Sequence, residues 1–157
     1  MALGIKHSRC WWIAGVVAIW ALVVPFTLTA ARDSTIEELK ERVANASIAE
    51  RPPLCIQISE RRLDEADRLY AAGNSEKAQT PLVDVTAFAE LARDYAIQSH
   101  KHEKQSEIAI RRMTRKLANL KHAVAHEDQP QIQDAIDRLQ RIRDDLLAAM
   151  FPNGVKK

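Results

Sequence analysis

Glycine is scarce in this chain: there are four in 157 residues, and Gly4, Gly15 and Gly154 fall near the ends, leaving only Gly73 in the interior. A loop that cradles phosphate needs glycines at fixed spacing, so GxxxxGK[ST] is excluded, and GxSxG, HExxH and CxxC are absent as well. Cysteine is limited to Cys10 and Cys55, too few for a disulfide framework. Aromatics make up 5% of the chain. Beyond position 31 they are Tyr70, Phe88, Tyr95 and Phe151, so a core must come from Leu, Ile, Val and Ala. Bulk charge is missing too: the net +2 includes Lys6 and Arg9 at the extreme N-terminus, and the rest is balanced. Neutrality, with no aromatics interleaving the basic residues, argues against nucleic acid. No catalysis and no cofactor are expected.

Hydrophobic residues are concentrated at the start. Lys6, His7 and Arg9 precede an uncharged run, Cys10 to Phe26, which leads into Thr27-Leu28-Thr29-Ala30-Ala31. Basic, apolar and small segments in that order form a secretory signal. Basic residues stay on the cytoplasmic side while the apolar run enters the bilayer, so the chain beyond residue 31 is delivered outside. The run is longer than an ordinary signal core and just short of the roughly 20 residues that span a bilayer. Residues 1–31 are therefore either a cleaved signal peptide or an uncleaved anchor with membrane contact through 10–26. The product is expected to be periplasmic or secreted, or else membrane-anchored with its C-terminal part outside the cytoplasm.

The remainder is expected to be all-α: an antiparallel helical bundle or a pair of helical hairpins with one long helix. Ser34-Thr-Ile-Glu37 has the form of a capping box, and the helix it opens should run to Glu50, where Arg51-Pro52-Pro53 ends it. With few large apolar residues, segment 32–53 reads as a linker helix or loosely docked arm ahead of a helical domain over 54–151, with 152–157 a disordered tail. A second helix spans about 54–72 and is closed by Gly73-Asn74. Pro81 predicts a start or kink near Thr80.

From Leu82 to Ala125 apolar residues recur at helical spacing on either side of a polar patch, Gln98 to Glu107. With no Gly or Pro inside it, the patch predicts one continuous helix. A turn there is the alternative, because a helix of that length would reach about 66 Å. Glu127-Asp-Gln-Pro130 breaks the chain, and Gln131 to Met150 carries the stripe Ile132, Ala135, Ile136, Leu139, Ile142, Leu146, Met150, which should pair with residues 110–124 as a hairpin.

The piece Ala66-Asp-Arg-Leu-Tyr70-Ala-Ala-Gly73-Asn-Ser-Glu-Lys-Ala78 resembles the junction between the two helices of a tetratricopeptide repeat. It covers about one repeat, and Pro81 lies earlier than that repeat's terminal proline. The resemblance implies a helical hairpin of protein-interaction type.

Four candidate sites emerge. His122 and His126, four apart on a helix with Glu127 and Asp128 next in the chain, form a candidate metal pair, set against two His suiting a helix C-terminus. His100 and His102 diverge if helical. Val85, Phe88, Ala92 and Tyr95 form a seam that a protein partner would cover, and the heptad-like stripes over 110–124 and 132–150 offer assembly with further copies of the chain. Cys55, among Leu54, Ile56 and Ile58, is buried, paired with another chain, or reactive. Lys101, Lys104, Arg111, Arg112, Arg115, Lys116 and Lys121 make a basic face that meets anionic headgroups or is neutralised by Asp134, Asp137, Asp144 and Asp145. The leading expectation is an exported helical adaptor or envelope accessory acting through protein contacts. The alternative is a periplasmic metal-binding protein using His122 and His126.

Overall fold

The computed structural model describes residues 35–152, and these are helical with no strands among them. The expected signal or anchor segment, residues 1–31, and most of the expected C-terminal tail lie outside the described residues. Helix α1 spans Ile36–Asn45, α2 Arg51–Ala71, α3 Ser75–Ser99, α4 Glu103–Ala123 and α5 Gln129–Met150, with 3-10 turns at Ile48–Glu50 and His126–Asp128.

The helix boundaries obey local chemistry, in places one register away from the sequence expectation. The capping box uses Thr35 and Glu38, not Ser34 and Glu37: the Thr35 hydroxyl accepts from the Glu38 N–H at 3.2 Å, and the Glu38 carboxylate accepts from the Thr35 N–H at 3.1 Å. Helix α1 ends at Asn45, and Ser47 with Glu50 forms a second box that restarts the chain. Arg51-Pro52-Pro53 does not end the first helix; it opens α2, because a proline in the first turn has no helical hydrogen bond to lose. Gly73 closes α2 as expected, at φ +72°, with Asn74 N–H donating to the Leu69 carbonyl and Gly73 N–H to that of Tyr70. Pro81 does not start α3. It lies inside it, buried, and the helix already begins at Ser75.

The expected continuous helix over 82–125 is two helices. His100 (φ 52°) and His102 (φ 64°) both take the left-handed conformation and turn the chain between α3 and α4. Left-handed backbone costs a non-glycine residue roughly 1–2 kcal/mol, and packing α4 back onto the domain offsets it.

Helices α2 and α3 form one antiparallel hairpin, and α4 and α5 form the other. Their seams are mostly aliphatic: Cys55, Ile56, Leu63 and Ala66 face Leu82, Val85, Ala89, Ala92 and Ala96, while Ile110, Met113, Leu117 and Leu120 face Ile132, Ile136, Leu139, Ile142 and Leu146. Small residues along α3 let α2 approach closely, and the buried Ser59 hydroxyl is satisfied by the Val85 carbonyl at 3.1 Å.

The second hairpin lies on the first with a constant offset. Glu60 pairs with Arg112 and Asp64 with Lys116 across α2 and α4, and Arg93 with Asp145 across α3 and α5, each 52 residues apart. Advancing four residues on α2 advances four on α4, so equivalent helices run side by side in the same direction. At one end Ser75 donates to Asp128 at 2.6 Å, joining the two hairpin turns.

The described part of segment 32–53 packs on the domain, with Leu39 of α1 fully buried. Arg51 pins the C-terminal end of α1: its Nε donates to the Ala46 carbonyl at 3.1 Å while its guanidinium lies over the Tyr95 ring at 5.1 Å. The orphan carbonyls of α1 and the face of an α3 aromatic share one cation.

Candidate functional site

Helix α3 decides which surface remains for a partner. Its expected seam is consumed within the domain: Val85 and Ala92 are fully buried, and Phe88 and Tyr95 are half-buried under Lys40 (5.9 Å) and Arg51 (5.1 Å). Helix α2 takes Val85 and Ala92 into its seam, while Lys40 of α1 and Arg51 at the start of α2 lie over the rings of Phe88 and Tyr95.

The apolar residues that α3 does leave outside are Val83, Ala87 and Leu91, spaced by four and so on one side of the helix, with Val83 62% and Leu91 38% exposed. Beside them a groove of about 480 Å³ runs between α3 and α5. Leu82, Val83 and Ala135 supply its apolar surface, and Gln79, Asp134 and Arg138 its polar rim, with Arg138 held to Asp134 at 3.2 Å. An apolar floor with polar edges suits contact with another chain. The sequence did carry the signal: Val83, Ala87 and Leu91 repeat at helical spacing, but the opposite side is buried by contacts with α2, Lys40 and Arg51.

His122 and His126 do not share a helix. Helix α4 ends at Ala123, Val124 is extended (φ −95°, ψ 165°), and His126 opens the next turn; both rings are exposed. The i,i+4 argument for a metal pair therefore fails. His100 and His102 are not helical either. Among the described residues no three His, Cys, Asp or Glu side chains are grouped to hold an ion.

Cys55 is fully buried, and the loss of hydration pushes its thiol up to about 11. The buried alternative for this cysteine is the one the fold adopts.

The basic face is neutralised only in part, and by acids of α2, not of α5. Arg112 meets Glu60, Lys116 meets Asp64 at 2.7 Å and Asp67 at 3.1 Å, and Lys121 donates to Gln133 at 2.7 Å. The Asp64 hydrogen bond, with a further contribution from Asp67, raises the Lys116 ammonium above its ordinary value. Of the acids expected to do this, Asp134 is taken by Arg138 and Asp145 by Arg93.

At the end of the domain where Ser75 meets Asp128, burial and the Asp128 charge raise the Tyr70 hydroxyl. Ser75 and Asp128 join the two hairpin turns, and the Tyr70 hydroxyl is buried beside them without a hydrogen-bond partner among the described residues.

Among the described residues no helix is long and apolar enough to cross a membrane. The chain matches no family model, no curated protein and no solved structure.

Proposed function

We propose that this is an exported helical domain that works by protein contact, as an adaptor or envelope accessory, and performs no catalysis. The observation that carries the reading is the outward face of α3, where Val83, Ala87 and Leu91 stand in solvent beside an apolar-floored groove. Apolar side chains aligned on one helix side lose hydration cost when a partner covers them, about 25 cal/mol for each Å² removed from water. Export rests on the order of basic, apolar and small segments in residues 1–31.

The test is expression of the full chain in a bacterial host with a photo-crosslinking amino acid at position 87, then fractionation and intact-mass measurement. The reading expects the product outside the cytoplasm, with or without its first 31 or so residues. It also expects a discrete adduct from position 87 that disappears in a Val83→Lys, Leu91→Lys double variant and is absent when the probe sits at Lys104. A cytoplasmic, full-length product, or adducts indifferent to the double variant, would overturn it.

A further inference from the structure

A second surface, on the opposite hairpin, has a different chemistry. Glu107 of α4 is buried, with 7% of its surface exposed, and it engages two arginines through one oxygen. Arg143 of α5 donates its Nε at 2.8 Å, and Arg111, one turn along α4, places its Nε at 3.7 Å. Both contacts run through the Nε edge, and among the described residues the guanidinium of Arg115 has no hydrogen bond or ion pair.

These three arginines line one cleft of about 260 Å³ between α4 and α5. Arg111 and Arg115 are four residues apart on one helix, a spacing at which like charges repel by a few tenths of a kcal/mol. Asp144, the acid on the rim, is exposed and pairs with neither. The neutralised side of α4 is that of Arg112 and Lys116, which turns toward α2. The Arg111 and Arg115 side turns toward α5 and keeps excess positive charge.

We propose that this cleft binds a phosphate-class oxyanion. Guanidinium Nη groups form a planar fork that matches two oxygens of a phosphate, and charge-assisted bonds of this kind are about twice as strong as neutral ones. Glu107 is a positioning residue. By accepting from the Arg143 Nε at 2.8 Å it fixes one fork before a ligand arrives, and its charge draws Arg111 toward the same oxygen, so less side-chain entropy is lost on binding. Arg115 completes the set as the cation with no internal partner. Free phosphate and the phosphodiester of an anionic lipid headgroup present the same oxygens to such a cleft.

The experiment tracks the arginine Nε–H resonances of the full chain by NMR. One arm titrates inorganic phosphate; a second uses vesicles of phosphatidylglycerol in phosphatidylcholine, against vesicles of phosphatidylcholine alone. The proposal expects saturable shifts at Arg111, Arg115 and Arg143, and an affinity at least about tenfold weaker in Arg115→Ala, the loss of one charge-assisted contact. Arg115 has no partner in the domain, so its removal leaves the fold intact, and Arg115→Lys, which keeps charge without the fork, should recover only part of the loss. Saturation by phosphate alone assigns a free oxyanion. Saturation only with phosphatidylglycerol, in an Arg115-dependent manner, assigns a headgroup. No saturable shift in either arm, or shifts of equal affinity in Arg115→Ala, overturns the site.

Discussion

Arg93 on α3 reaches Asp145 on α5 at 2.8 Å, and the 52 residues between them are the same number that separates Glu60 from Arg112 on the other pair of helices. One register thus governs both edges along which the hairpins meet. The contacts that display it are exposed ion pairs, and such pairs contribute little to stability. Arg93→Ala is expected to lower unfolding free energy by less than about 1 kcal/mol in a urea titration. A loss of several kcal/mol would mean that the edge pairs, not the aliphatic seams, hold the hairpins together.

Leu39 tests whether α1 is part of the domain. Its side chain is fully buried, so Leu39→Ala should cost about 2–4 kcal/mol. Amide exchange over α1 should accelerate more than in α5. A change below about 0.5 kcal/mol, the scatter of surface substitutions, would return α1 to the status of a loose arm.

The two turns that use left-handed backbone should respond to substitution in opposite directions. At Gly73 an added Cβ meets nothing within 4 Å, so Gly73→Ala isolates backbone strain and is expected to destabilise by about 1–2 kcal/mol. At His100 the strain is already present and the side chain is exposed, so His100→Gly should stabilise by about 0.5 kcal/mol or more. A loss of stability at His100→Gly would show that the imidazole makes a contact the backbone argument ignores.

These turns also mark where the sequence is legible. Gly73 announces its turn because glycine reaches positive φ at no steric cost, and the α5 stripe announces its buried face because Ile132, Ile136, Leu139, Ile142 and Leu146 repeat with the helix. His100 and His102 announce nothing: the turn they make depends on α4 gaining a packed face elsewhere, a tertiary effect that local composition does not carry. The docking of α1 is hidden for a similar reason. One leucine, Leu39, does most of the burial, and Arg51 ties the helix end through its own backbone-directed hydrogen bond. With α1 taken as a free arm, the side of α3 that carries Phe88 and Tyr95 reads as open in place of Val83, Ala87 and Leu91. The arginine cleft is half visible, since Arg111 and Arg115 belong to the basic face, but Arg143 comes from another helix.

Cys55 supplies a prediction for pH. Its thiol is pushed from an ordinary value of 9.0 up to about 11 in the fold, so the folded state keeps the proton that the unfolded chain releases. The contribution is fully present below pH 9 and is lost as pH rises from 9 toward 11. By pH 10 the loss is about 1 kcal/mol, and Cys55→Ala should flatten that part of the curve. The native thiol should also resist a thiol reagent until denaturant is added. Rapid labelling of the folded protein at neutral pH would contradict the burial.

Each hairpin is continuous in sequence, and only the short His100-Lys101-His102 turn joins them. The chain can therefore be treated as two modules with one peptide link. Severed at Lys101, it would give two halves, each with its own aliphatic seam, whose reunion depends on concentration and no longer on the tether. The recovered helix signal as one half is titrated with the other would then measure directly how strongly one hairpin recognises its neighbour.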